Sequence, residues 1–336
     1  MEFDYTLDRH KMREKLQSFP QQIMESAHIA LRNLSDFSPS FDKIILLGMG
    51  GSGVVCTMLQ DYLRALRIPI PVIVHKDYAH IEYENALVFV ISYSGDTEET
   101  IDAYRSLARR GRNTCVVITS GGKLAQLAPM FSSTLMQVPG GLMPRLALGY
   151  LFIPAYIALI KAKVIATDPL ALKQTEQALS KDVYEAFAKD LVGKLENRIP
   201  VVYSSSLFSS TSYFWKTSFN ETAKTVAFAN VIPELCHNEL EAYSDLSQIA
   251  DDALYILILK DLQDESRVRH KMDGLKSVLK NQGQHVAEVA MRGEHLLARL
   301  FSLQYLGMWV AYYLALLKKV DPYPIQTIHS FKQKYK

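Results

Sequence analysis

Five apolar runs punctuate the first half of the chain, at 43–48, 71–75, 87–92, 114–119 and 134–138. None alternates with polar residues, so each reads as a strand covered on both faces. Between them lie segments with helical spacing at 53–66, 97–110, 123–128 and 145–161, and a helix from Gln22 to Leu34 precedes the first strand. Strands alternating with helices predict a doubly wound parallel sheet. The second half repeats the plan. Pro200–Ser206 parallels Ile44–Ser52, Ala253–Leu259 parallels Ala86–Ser92, His285–Met291 parallels Thr114–Thr119, and a long apolar helix at 294–318 parallels 145–161. The expected architecture is α/β with two similar parallel-sheet domains. The first spans 1–165 with its leading helices, a polar helical linker spans 166–198, the second domain spans 199–320, and a turn and basic helix close the chain at 321–336.

The third apolar run breaks in an informative way. Leu87–Ile91 passes into Ser92-Tyr93-Ser94-Gly95-Asp96-Thr97, after which Glu98 and Glu99 open a helix. Small hydroxyls and a glycine between a strand end and a helix N-terminus make an anion site, because the helix adds orphan N–H groups and a partial positive charge. The first run behaves alike: Ile44–Leu47 leads into Gly48-Met49-Gly50-Gly51-Ser52-Gly53 and then a helix. Two such turns point to a phosphorylated ligand. A dinucleotide is not expected, since no acidic residue ends the next strand, where Val74-His75-Lys76 stands.

Composition narrows the classes. A net charge of +2 from 37 basic and 35 acidic residues leaves no nucleic-acid footprint, and the densest basic run, Arg109-Arg110-Gly111-Arg112, reads as a solvated helix end. Cys56, Cys115 and Cys236 are widely spaced and show neither a disulfide framework nor a zinc pattern, which fits a reducing cytoplasm. The uncharged stretch from Leu300 to Leu317 is at the edge of membrane-spanning length, but Ser302, Gln304, Gly307 and its tyrosines favour a buried core or dimer helix, so no membrane is expected.

Gly48-Met49-Gly50-Gly51-Ser52-Gly53, the segment Ser92–Thr100 and the two-fold plan resemble sugar isomerase (SIS) domains. Pro144-Arg145, Phe219-Asn220-Glu221-Thr222-Ala223-Lys224 and His237-Asn238-Glu239 narrow the resemblance to the bifunctional phosphoglucose/phosphomannose isomerases, over nearly the whole chain. The resemblance implies two SIS-type domains, each a flavodoxin-like sandwich, with a C-terminal helix. It implies a cytoplasmic aldose–ketose isomerase of glycolysis that interconverts glucose 6-phosphate, and mannose 6-phosphate, with fructose 6-phosphate through a cis-enediol(ate). By the same resemblance Gly50, Gly51, Ser52, Ser92, Ser94 and Thr97 would hold the substrate, with the hydroxyls on its phosphate. Arg145 would stabilise the enediolate, and Glu221 would move the proton between C1 and C2. His237 and a lysine of the last helix, Lys332, would assist ring opening. The partners implied are the phosphorylated hexose and a second copy of the chain, a homodimer with His237 reaching across the interface. Two positions depart from the family pattern: Asp96 stands where asparagine is usual, and Tyr323 where a small polar residue is expected.

The chemistry is consistent with those residue types. A carboxylate base, an imidazole and a fixed guanidinium suffice for an aldose–ketose shift. No metal or other cofactor is expected, for the chain shows no ligand spacing. Each residue also has an ordinary reading: Glu221 as an exposed helix end, His237 as structural, Arg145 as a loop cap, Lys332 as one of several terminal lysines beside Lys334 and Lys336. Cys236 beside His237 suggests a nucleophile pair, but sequence neighbours point in different directions. The alternative function is a phosphosugar sensor without catalysis. Such a regulator would carry a DNA-binding segment, and residues 1–40 show no basic stripe.

Overall fold

The computed structural model describes residues 2–78, 82–109, 111–247, 250 and 252–335. The strands are β1 (Lys43–Leu47), β2 (Val72–His75), β3 (Ala86–Ile91), β4 (Thr114–Thr119), β5 (Thr134–Gln137), β6 (Ile199–Ser205), β7 (Phe228–Ile232), β8 (Leu254–Lys260) and β9 (His285–Ala290). The helices are α1 (Met12–Gln17), α2 (Gln21–Asn33), α3 (Gly50–Ala65), α4 (Glu98–Ala108), α5 (Gly122–Met130), α6 (Leu148–Lys161), α7 (Ala171–Leu179), α8 (Val183–Val192), α9 (Ser209–Glu221), α10 (Ser266–Asn281), α11 (Leu296–Leu317) and α12 (Gln326–Lys334). The chain divides into two compact units, Ser18–Gln177 and Met1–Gln17 with Ala178–Lys336. Arg110, the expected end of the helix that became α4, lies outside the described residues.

In the first unit the sheet order is β2-β1-β3-β4-β5 and every pair is parallel. Strand β3 is buried along its length and β1 from Ile44 to Leu47, which is why their sequences never alternate. This order places the topological switch point between β1 and β3, and both serine-glycine turns leave the carboxyl ends of those two strands.

The second unit repeats the order with one strand fewer, β7-β6-β8-β9, again all parallel. Its switch point lies between β6 and β8. Strand β7 was not legible as an apolar run because it is an edge strand: Phe228 is exposed, and only Ile232 is fully buried. Helix α11 is buried from Leu297 to Leu316. It is the one helix among the described residues long and apolar enough to cross a membrane, and 94% of that stretch is buried within the protein, as a core helix would be.

Residues 1–17, expected with the first domain, belong to the second unit. Tertiary contacts hold them there. Arg13 pairs with Glu185 of α8 at 2.9 Å, Tyr305 of α11 donates to the Leu16 carbonyl at 3.0 Å, and Tyr312 of α11 donates to Asp8 at 3.0 Å. The segment expected as a linker, 166–198, is divided between the units and carries α7 and α8.

Candidate active site

At the first unit's switch point two helices begin without a side-chain cap. Neither the side chain of Met49, before α3, nor that of Thr97, before α4, bonds its helix's first turn. The N–H groups of both first turns therefore face the crevice as donors. The hydroxyls divide the work. Ser92, 1% exposed, lies 2.9 Å from the Thr97 hydroxyl and accepts from Gly95 N at 3.2 Å, so it shapes its own turn. Ser52 accepts from Tyr93 N at 3.1 Å and ties the two turns together. Ser94 is exposed, and its oxygen accepts from Asp96 N at 3.3 Å.

Gly95 has φ +73°, and a Cβ there would lie 1.9 Å from the Gly121 carbonyl, so no other residue fits without rebuilding the loop. Asp96, which stands where asparagine is usual in the family, turns toward α5. Its Oδ1 accepts from Lys123 N at 3.0 Å, within the first turn of that helix. The carboxylate is thus engaged away from the hydroxyls.

Arg145 is 4% exposed, in a short 3-10 turn at Pro144–Leu146. The structure brings it to the glycine-rich turn. A Cβ on Gly51 would be 3.0 Å from both Arg145 N and the Pro144 carbonyl carbon, so the glycine lets the two backbones meet. Two residues that the sequence did not single out hold this arrangement. Tyr93 donates to the Pro139 carbonyl at 2.8 Å and accepts from Leu142 N at 3.1 Å, fastening the loop that leads to Arg145. Gln22 of α2 donates to the Leu146 carbonyl at 2.7 Å from the other side. The only sequence signal for Tyr93 was its place between two serines of the anion turn.

In the second unit Glu221 is the last residue of α9 and lines a cleft of about 560 Å³. The cleft walls come from Leu7 and Arg9, from Asn220, Glu221 and Lys224, and from Lys319 to Asp321 and Pro324 to Ile328. Lys224, at φ +50°, donates to the Glu221 carbonyl at 2.9 Å and the Thr222 carbonyl at 3.2 Å. A cation on the terminal carbonyls of a helix is favourable both as a hydrogen bond and against the helix dipole.

His237 is exposed at the end of a 3-10 turn, Glu234–His237, and does not line that cleft. Its position is fixed from below. Asn238 donates to Glu234 at 2.9 Å and accepts from Glu239 N at 2.6 Å, joining two short turns. Glu239 accepts from Asn230 of β7 at 2.5 Å and from the Tyr203 hydroxyl of β6. Tyr203 lies 2.5 Å from the Tyr243 hydroxyl, and burial pushes the Tyr243 phenol up to about 12. Burial likewise raises the Cys236 thiol, which keeps it protonated and unsuited to attack. Lys332 lies on α12, which is exposed throughout. The first turn of α12 helps wall the Glu221 cleft, while Lys332 itself does not line it.

The sequence matches known families in both halves. A model of the SIS domain matches residues 40–135, which contain Gly50 to Ser52 and Ser92 to Thr97. A model of the bacterial phospho-glucose isomerase C-terminal SIS domain matches residues 185–335, which contain Glu221, His237 and Lys332. The bifunctional phosphoglucose/phosphomannose isomerase of Caldicellulosiruptor bescii is 34% identical over 96% of this chain and 98% of that protein. The chain belongs to this family of enzymes. The Thermoplasma acidophilum member is 33% identical over 88% of this chain and 90% of its own. Among solved structures, the C-terminal domain of glucosamine-fructose-6-phosphate aminotransferase from Francisella tularensis shares the fold. It has a TM-score of 0.69 at 14% identity, covering 94% of this chain and 98% of its own.

Proposed function

We propose that the chain interconverts glucose 6-phosphate and mannose 6-phosphate with fructose 6-phosphate through a cis-enediol(ate). The observation that carries the reading is the first unit's switch point: uncapped helix starts, an exposed Ser94 and a buried Arg145 packed against Gly51. Donors of that kind suit a phosphate dianion, with a guanidinium for the charge that develops on the substrate oxygen. In this reading Ser52, Ser92, Ser94 and Thr97, with the Gly50-Gly51 turn, hold the phosphate end. Glu221 takes the proton from one carbon and returns it to the next. His237 and Lys332 serve ring opening. The exposure of His237, two residues before a Glu239 tied to β6 and β7, supports its delivery to a second copy of the chain in a cytoplasmic homodimer.

One relative favours a neighbouring reading. The D-glucosamine-6-phosphate 4-epimerase of Sulfolobus acidocaldarius is 30% identical over 67% of this chain and 71% of its own. The experiment is therefore run with two substrates. Purified protein is given fructose 6-phosphate, with glucose 6-phosphate and mannose 6-phosphate measured by coupled dehydrogenases, and separately glucosamine 6-phosphate, with the 4-epimer measured by NMR. Formation of both aldoses supports the proposal; epimer alone replaces it. Mixing inactive Glu221→Gln and His237→Ala subunits tests the shared site. Hybrids regain activity if the histidine crosses the interface, and stay inactive if both residues serve one site from one chain.

A further inference from the structure

The Glu221 cleft holds a cation that the roles above leave unused. Arg9 lines that cleft, and among the described residues its side chain makes no hydrogen bond or ion pair. Its neighbours on both sides are pinned. Asp8 accepts from Met12 N at 2.6 Å and Arg13 N at 2.9 Å, closing the start of α1, and from the Tyr312 hydroxyl at 3.0 Å. His10 stacks on Tyr323 with ring centroids 4.8 Å apart, and its Nδ1 lies 3.8 Å from Asp321. The backbone is thus anchored on each side of Arg9 while the guanidinium stays unspent. Lys224, which also lines the cleft, is already engaged with the carbonyls that end α9. A guanidinium offers five donors in a planar fork and stays charged at any working pH, so it suits an oxygen-rich ligand.

We propose that Arg9 is a substrate-contact residue, donating to the hydroxyl oxygens of the hexose phosphate in the Glu221 cleft. This rests on the isomerase reading. The cleft's volume, about 560 Å³, lies within the range of small-molecule sites. Hydroxyls remote from the reacting carbons keep their charge through the reaction, so the contact is equally strong in ground and transition states. Such uniform binding appears in KM and not in kcat. Tyr323, one of the two departures from the family pattern, is the platform on which the arginine's neighbour stacks.

The test compares Arg9→Ala and Arg9→Lys with the unmodified protein in steady-state kinetics, and titrates fructose 6-phosphate into Glu221→Gln and the Glu221→Gln/Arg9→Ala double variant by calorimetry. Arg9 is exposed, so the variants are expected to melt with the unmodified protein. Arg9→Ala should raise KM about tenfold or more, the loss expected of a charge-assisted hydrogen bond, with a much smaller change in kcat. Arg9→Lys should fall between, and the double variant should bind more weakly by the same factor. Unchanged KM and affinity, or a fall in kcat at constant KM, overturns the proposal. If the unmodified protein turns over no hexose phosphate, the isomerase reading fails instead, and the calorimetric comparison still decides whether Arg9 holds a phosphosugar.

Discussion

Asp264 offers a quantitative test of the second unit's chemistry. It follows β8, is 6% exposed, and accepts from the Ser205 hydroxyl at 3.1 Å through Oδ1, while Oδ2 is buried without a hydrogen-bond partner. Burial pushes its carboxyl up from 3.8 to about 6; the Ser205 hydrogen bond works against that, and the nearby charge of Asp261 adds to it. The folded state therefore prefers the protonated acid. The stability that follows is fully present below pH 3.8 and is lost as pH rises through about 6. A shift of about two units, at roughly 1.4 kcal/mol per unit, is worth about 3 kcal/mol. Asp264→Asn is neutral at every pH and keeps an acceptor for Ser205. Its stability relative to the unmodified protein should improve by about 2–3 kcal/mol between pH 4 and pH 8. The comparison within each pH cancels the other titrating groups. Urea unfolding followed by tryptophan fluorescence is the assay, because the chain's two tryptophans, Trp215 and Trp309, are both buried in the second unit. A stability difference that stays constant across pH would show that the carboxyl is not held neutral by its surroundings.

Three further outcomes are expected. Gly51→Ala should lower turnover tenfold or more, because the new Cβ meets the Pro144-Arg145 backbone at 3.0 Å and that backbone must shift to admit it; full activity would sever Arg145 from the reaction. Ser94→Ala should raise KM for hexose phosphates about tenfold with little effect on kcat, measured in the coupled assay. Activity should survive exhaustive chelation and dialysis; loss with EDTA, restored by a divalent ion, would assign a metal to the site.

The parallel sheets were legible because β1, β3 and β8 are buried on both faces, so their apolar runs are continuous. Edge strand β7 carries no such run, and its existence depends on pairing with β6. The anion turns were legible because glycine and serine at a strand end have few other uses. The roles within them were not. Ser92 and Ser94 look equivalent in sequence, but one is buried and knits the turn while the other is exposed. Tyr93, Gln22 and Arg9 were invisible for a related reason: each acts through contacts with residues remote in the sequence or through a cleft built from several segments. The placement of residues 1–17 in the second unit likewise depends on Glu185 and Tyr312, far along the chain.

The two units share a strand order, so each offers a crevice at the same place in its sheet, yet the hydroxyls at the two crevices are engaged differently. In the first, the helix starts have no side-chain cap, Ser94 is exposed, and Asp96 is turned onto Lys123 N. In the second, β6 ends in Ser204, Ser205 and then Ser206, which by sequence alone looks like another anion turn. The protein uses two of those hydroxyls itself. Ser204 donates to Ser212 at 2.8 Å, and Ser205 donates to Asp264. A phosphate arriving there would have to displace a buried carboxyl and then lie beside it, and above about pH 6 both would carry negative charge. In the proposed reading phosphate capture therefore falls to the first unit, and the residues assigned to proton transfer, Glu221 and His237, come from the second.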